Sequence, residues 1–245
     1  MIRGVYRAFR DFQSIMHDHT DPACSSCCNI PACVRVDHSA GGGEKLERRQ
    51  KTMNHEDKVQ IVQEMIGGLC KPEFLQALEE VGYYEAPAGA YHHGAYVGGL
   101  FDHSMNVVER LNMLTVCLGL KWERPESPAV IGILHDVCKL WQYDTEYVEK
   151  TEQVNGREAI VEVPQFSWRK HQDMPGHGDA SLIRIMQLGG MELTREEIYC
   201  IRYHMAAYEG KEAWDALDKA IRQYPNIIYT HTADMLASKV DEKEG

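Results

Sequence analysis

The stretch SPAVIGILHDVCK, residues 127–139, decides the fold. Ser127 followed by Pro128 reads as a helix cap and a first-turn proline, where the missing N–H costs no hydrogen bond. The run AVIGILHDVCKLW that follows offers no polar face, so it is a helix buried on all sides rather than an amphipathic one. His135 and Asp136 interrupt it near a helix end expected at Lys139. A carboxylate among apolar neighbours is costly unless it is paired or bound to a metal. Adjacent side chains on a helix diverge, so both can serve one ion only near a helix end or with partners around them. The plain alternative is a His–Asp pair hydrogen-bonded to a neighbouring helix, and the dipeptide alone favours that alternative.

Helix signals lie on both sides of this stretch. Asn54 can cap a helix with Asp57, and Val59, Ile61, Val62, Met65, Ile66 and Leu69 form its apolar stripe. Pro72 can open a second helix that Gly82 ends. A Gly-rich segment over 87–99 precedes a helix from about His103 to Leu118, with Gly119 as its stop. YVEKTEQV and REAIVEV flank Asn155-Gly156, a strong short signal for a β-hairpin, here over about 147–163. Helix signals resume near Asp179. Thr194-Arg-Glu-Glu197 is a capping box for a helix reaching His204, and a last helix starts near Pro225. The expectation is an all-α helical bundle with an inserted β-hairpin, spanning residues 53–245.

Residues 1–52 read differently. They hold Cys24, Cys27, Cys28 and Cys33, then Gly41–Gly43 and the charged run EKLERRQK, with no sustained apolar period. This is a Cys-rich tail, either disordered or zinc-binding. The Cys24/Cys27 spacing fits a structural zinc site, although no second pair completes it.

The chain has 245 residues, of which 44% are hydrophobic, enough for one sizeable core. No run of eighteen apolar residues and no secretory h-region is present, so no membrane association is expected. Cys70, Cys117, Cys138 and Cys200 are scattered singly, as buried thiols are, and a reducing cytoplasm is expected. The net charge of −11 disfavours a long duplex nucleic acid as partner.

Other candidate ligands are spread along the chain. His103 opens a helix, His177 sits between glycines in PGHG, His204 ends a helix in RYHM, and Asp234 lies in HTADML. His231 lies three residues before Asp234 and rivals it; Asp234 is preferred because a carboxylate balances metal charge. Each of these is, singly, more often a satisfied core or surface group. Together they give the order H…HD…H…H…D.

That series resembles the HD-domain superfamily of metal-dependent phosphohydrolases over roughly residues 90–240. HHGAYVGGLFDHS is similar to the first-ligand segment of bacterial 3′–5′ exoribonucleases that join an OB-fold to an HD domain. GHGDAS, IRYHM and HTADMLA resemble small stand-alone HD hydrolases of bacteria and phages. The resemblance implies that His103, His135, Asp136 and Asp234 hold a first metal. His177 and His204 would hold a second, with Asp136 bridging. Lys139, in HDxxK spacing, would contact a substrate phosphate; Val137-Cys138 stand where many relatives carry a glycine.

One or two divalent ions (Mn, Fe, Co, Ni or Zn) suit this donor set. The implied activity is hydrolysis of a nucleotide-like phosphomonoester or phosphodiester by a metal-activated water, with Asp136 and Lys139 as catalytic residues. His92 and His93 are candidates for substrate contact, and Arg169 and Lys170 for a phosphate-binding lip. Two other functions stay open. One is a 3′–5′ exonuclease on single-stranded RNA or DNA, drawing on Arg169, Lys170, Arg184, Arg195 and Arg202. The other is a non-catalytic nucleotide-sensing module. Nothing in the sequence fixes the oligomeric state.

Overall fold

The computed structural model describes residues 53–91, 94–154, 157–170, 174, 176–208 and 210–242. The Cys-rich tail with Cys24, Cys27, Cys28 and Cys33, and the pair His92-His93, lie outside the described residues. Helix α1 (His55–Ile66) starts as its cap dictates: Asn54 Oδ1 accepts the Asp57 N–H at 2.7 Å. Helix α2 (Pro72–Glu80) opens on its proline and buries Phe74 and Leu78. Helix α3 (Gly99–Leu118) stops at Gly119, whose φ of 63° only glycine adopts cheaply. Helix α4 (Ser127–Leu134) is buried at every residue. Helices α5 (His177–Leu188), α6 (Arg195–Arg202), α7 (Trp214–Gln223) and α8 (Asn226–Leu236) complete a mostly helical fold.

The core is one cluster in which α4 is the central element. Helix α3 packs along α4 and α8, and α6 packs on both α4 and α8. Phe101, Leu111, Ile131, Ile133, Leu134, Ile201 and Ile227 fill the space between them. Gly132 permits the tightest of these approaches: a Cβ there would stand 2.9 Å from the Val108 backbone nitrogen. A larger residue would push α3 off α4, and with it His103 away from His135.

Several boundaries differ from the sequence reading, each for a local reason. Helix α3 begins at Gly99, so His103 sits in its second turn rather than at its start. Helix α4 ends at Leu134, not at Lys139. His135 caps it, Asp136 leaves helical geometry at φ −112° and ψ 18°, and a 3₁₀ turn covers Val137–Trp141. Ser127 is not a cap; its hydroxyl donates to Glu197 Oε1 at 2.8 Å. Glu197 also takes Arg124 at 2.7 Å on each oxygen, and it closes the capping box with Thr194. This buried junction ties the start of α4 to α6.

The inserted hairpin pairs β1 (Tyr143–Val154) with β2 (Arg157–Trp168), antiparallel, in a register that sets Tyr143 opposite Trp168. It is longer than the expected 147–163 at both ends. Pro164 looks like a strand terminator. A two-stranded ribbon, however, has an outer side on each strand where a missing N–H costs no ladder bond. The ends at 143 and 166–168 are held by burial of Tyr143 and Phe166. Among the described residues, no helix is long and apolar enough to cross a membrane.

Candidate metal centre

Four helix ends or turns converge on Asp136. The break after α4 aims His135 and Asp136 the same way, which an unbroken helix would not allow. Helix α3 brings His103, the turn after α6 brings His204, the first residue of α5 is His177, and α8 brings Asp234. Gly178 permits the meeting of α5 with the end of α6, since a Cβ there would stand 2.0 Å from the Arg202 carbonyl oxygen. An Arg202–Asp179 ion pair secures the same junction.

The two oxygens of Asp136 face different groups. Oδ2 lies 3.6 Å from His103 Nε2, 3.4 Å from His135 Nε2 and 2.6 Å from Lys139 Nζ. Oδ1 lies 3.4 Å from His204 Nε2 and 3.7 Å from His177 Nδ1. Asp234 Oδ1 joins the first group at 3.3 Å from His103 Nε2. His103, His135 and His204 are at most 1% exposed.

The far side of each buried ring assigns its tautomer. His135 Nδ1 donates to the Gly132 carbonyl at 3.0 Å, and His204 Nδ1 to the Ile201 carbonyl at 2.8 Å. Carbonyls only accept, so both Nδ1 atoms carry a proton, and in the neutral ring each inward-facing Nε2 is the lone-pair atom. His103 Nδ1 faces Glu242 Oε1 at 3.0 Å in the same way. His103 Nε2 and His135 Nε2 then stand 3.3 Å apart. His204 Nε2 is buried and, among the described residues, makes no well-formed hydrogen bond; Asp136 Oδ1 at 3.4 Å faces it.

The charges call for a cation. Asp136, Asp234 and Glu242 bring three carboxylates, and Lys139 is the only permanent cation in direct contact with Asp136 among the described residues. Burial disfavours charge on Asp136, yet Lys139 and the imidazoles hold its carboxyl well below the usual range. Asp234 is likewise desolvated, and His103 holds it down. Burial opposes charge on His103, but Asp234 and Glu242 outweigh it and raise its pKa to about 9. His177 is pushed down by burial. Inward lone pairs, an orphaned buried nitrogen and surplus carboxylate fit a divalent transition metal, which takes imidazole and carboxylate ligands. The buried cluster of His103, His135, Asp136, Cys138 and His177 could hold such an ion.

His231, the rival to Asp234, is turned away: its Nδ1 donates to the His204 carbonyl at 2.8 Å and props the turn from behind. Arg169 and Lys170 do not line the cavity above Asp136. Arg169 instead donates to Asp144 Oδ1 at 2.9 Å across the hairpin base, and Lys170 is exposed. That cavity, about 350 Å³, has Asp136, Lys139, His177 and Asp234 in its wall. Aromatic rings of Tyr91, Tyr143, Trp168 and Tyr208 and the cation Lys239 complete its rim. Sequence reasoning missed Glu242, Cys138 and these rings. Cys138 read as an inert buried thiol; its place one turn before Gln142 and two residues after Asp136 was the signal. No family model matches the chain, and no curated protein or solved structure matches it.

Proposed function

We propose that this chain is a metal-dependent phosphohydrolase of the HD type, acting on a small, nucleotide-like phosphoester. The observation that carries the reading is the division of Asp136: one oxygen faces His103 and His135, the other His204 and His177. A carboxylate so placed suits a bridge between two ions. Two such ions would supply a nucleophilic water at neutral pH and neutralise a phosphoryl oxygen. His103, His135, Asp136 and Asp234 would hold the first ion, and Asp136, His177 and His204 the second.

The remaining work falls to the cavity. Lys139, kept protonated by Asp136 despite burial, offers a positive charge at the cavity wall to a phosphate. Lys239 offers another at the rim. Tyr91, Tyr143, Trp168 and Tyr208 line the cavity and supply aromatic surface suited to a base. A volume of about 350 Å³ fits a mononucleotide better than a strand. The exonuclease alternative has less support. Of its five basic residues, Arg169 is engaged by Asp144, Arg184 by Gln187 and the Trp141 ring, and Arg202 by Asp179.

The test is hydrolysis by manganese- or cobalt-loaded protein, read as inorganic phosphate from monoesters and as the freed monoester or alcohol from diesters. The substrates are nucleoside monophosphates, cyclic nucleotides, a generic phosphodiester and an end-labelled single-stranded oligonucleotide. Turnover of small esters with the oligonucleotide left intact is expected. Metal-loaded protein that hydrolyses none of them would overturn the reading.

A further inference from the structure

We infer that Cys138 is a metal ligand, joining Asp136 and His177 to make the outer half of the centre a sulfur-containing site for a thiophilic divalent ion such as zinc or cobalt. The inference rests on the metal reading above, and goes beyond the all-imidazole and carboxylate set implied by the sequence.

Geometry comes first. One donor atom each from Asp136, Cys138 and His177 lies within 4.8 Å of the others. A single ion with bonds of about 2.0–2.3 Å spans that spread. Cys138 Sγ stands 3.2 Å from His177 Nδ1. The placement is fixed from both sides. The Cys138 N–H donates to Ser181 Oγ at 3.3 Å, and Ser181 lies one turn after His177 on the same face of α5. The 3₁₀ turn Val137–Trp141 and the start of α5 are thereby locked in register, thiol against imidazole.

A second observation points to an ion on this side. His204 Nε2 is fully buried, makes no well-formed hydrogen bond among the described residues, and is aimed at Asp136 Oδ1 from 3.4 Å. Oδ1 thus faces both His204 Nε2 and His177 Nδ1, the latter with Cys138 Sγ against it. A hydrogen bond between thiol and imidazole would explain the 3.2 Å contact but would leave His204 unsatisfied. A cation bound to Oδ1 answers both. On binding, the S–H bond breaks, a sulfur–metal bond forms, and the proton leaves to solvent. The consequence is selectivity: a thiolate biases this half towards softer ions and away from magnesium or calcium.

The experiment is a cobalt titration of the full chain with Cys24, Cys27, Cys28 and Cys33 changed to serine. That removes the thiols of the tail from the signal. A thiolate-to-cobalt charge-transfer absorption is expected as one equivalent binds. Cys138→Ser should abolish the band and weaken that equivalent by about tenfold or more, the low end for losing even an outer partner of a ligand. Cys138→Asp should restore binding without the band, and the exposed Cys117→Ser should change neither. Cobalt binding without the band, or with a band untouched by Cys138→Ser, would overturn this inference and leave the metal centre standing. Absence of any cobalt binding would remove both.

Discussion

The two sides of Asp136 are built by different means. On the Oδ2 side, His103 and His135 come from α3 and α4, whose contact is part of the hydrophobic core. Both rings are sealed and backed by fixed acceptors. On the Oδ1 side, His177 is the first residue of α5 and its side chain is 26% exposed. His204 follows the end of α6, propped by Ile201 and His231. The inner half exists whenever the core exists. The outer half depends on helix ends meeting, and helix ends are the parts of a fold that open at least cost. The inner half should therefore fill first and hold its ion more tightly.

The most severe test removes what the halves share. Asp136→Asn should cost both equivalents by elemental analysis and lower turnover by about 10³-fold or more, several kcal/mol of transition-state stabilisation. Retained circular dichroism would show that the fold persists; retained metal in both halves would refute the bridging arrangement. Next come two glycines that separate the halves. Gly178→Ala drives a Cβ into the Arg202 backbone, so the outer equivalent should be lost while the inner one stays. Gly132→Ala strains the α3–α4 contact instead. It should lower the melting temperature by roughly 2–10 °C, for an overpacking cost of about 1–3 kcal/mol, and loosen the inner ion. The same pattern of metal loss in both variants would dissolve the distinction.

The distinction also explains what was legible in the sequence. Helices were readable because their signals are local: Asn54 and Asp57, Thr194 and Glu197, Gly119 all act within one turn. The candidate ligands were readable only as an ordered set, because no single histidine differs in sequence from a satisfied one. Contacts between distant segments left no mark. Glu242, in a charged run near the end of the chain, gives no hint that it meets His103. Arg169 looks like phosphate-binding material, yet the hairpin places Asp144 beside it. Gly132 reads as a flaw in a buried helix, and only packing shows that it sets the approach of the helices carrying His103 and His135.

Glu242→Gln probes the inner half more gently. Glu242 Oε1 holds His103 Nδ1 at 3.0 Å and Asn106 Nδ2 at 2.9 Å, so the amide can keep the geometry while giving up the charge. Loss of such an outer partner costs about 10–100-fold in metal affinity. That loss should appear in the inner equivalent alone.

The smallest effect is expected far from the centre, and it fixes the background against which the others are read. His55 bridges Glu79 at 2.7 Å and Glu85 at 2.6 Å, tying the start of α1 to the end of α2 and the segment after it. These two carboxylates raise its pKa above the ordinary value of 6.5. A raised folded-state pKa adds stability that is fully present below about 6.5 and lost as pH rises through the folded value. The gain is small, because the side chain is 38% exposed and water screens the pair. His55→Gln should therefore flatten a slight decline in melting temperature as pH rises above about 6.5, with metal content and turnover unchanged. If it disturbed metal content, α1 and α2 would be coupled to the centre, and the halves would differ by more than their own local construction.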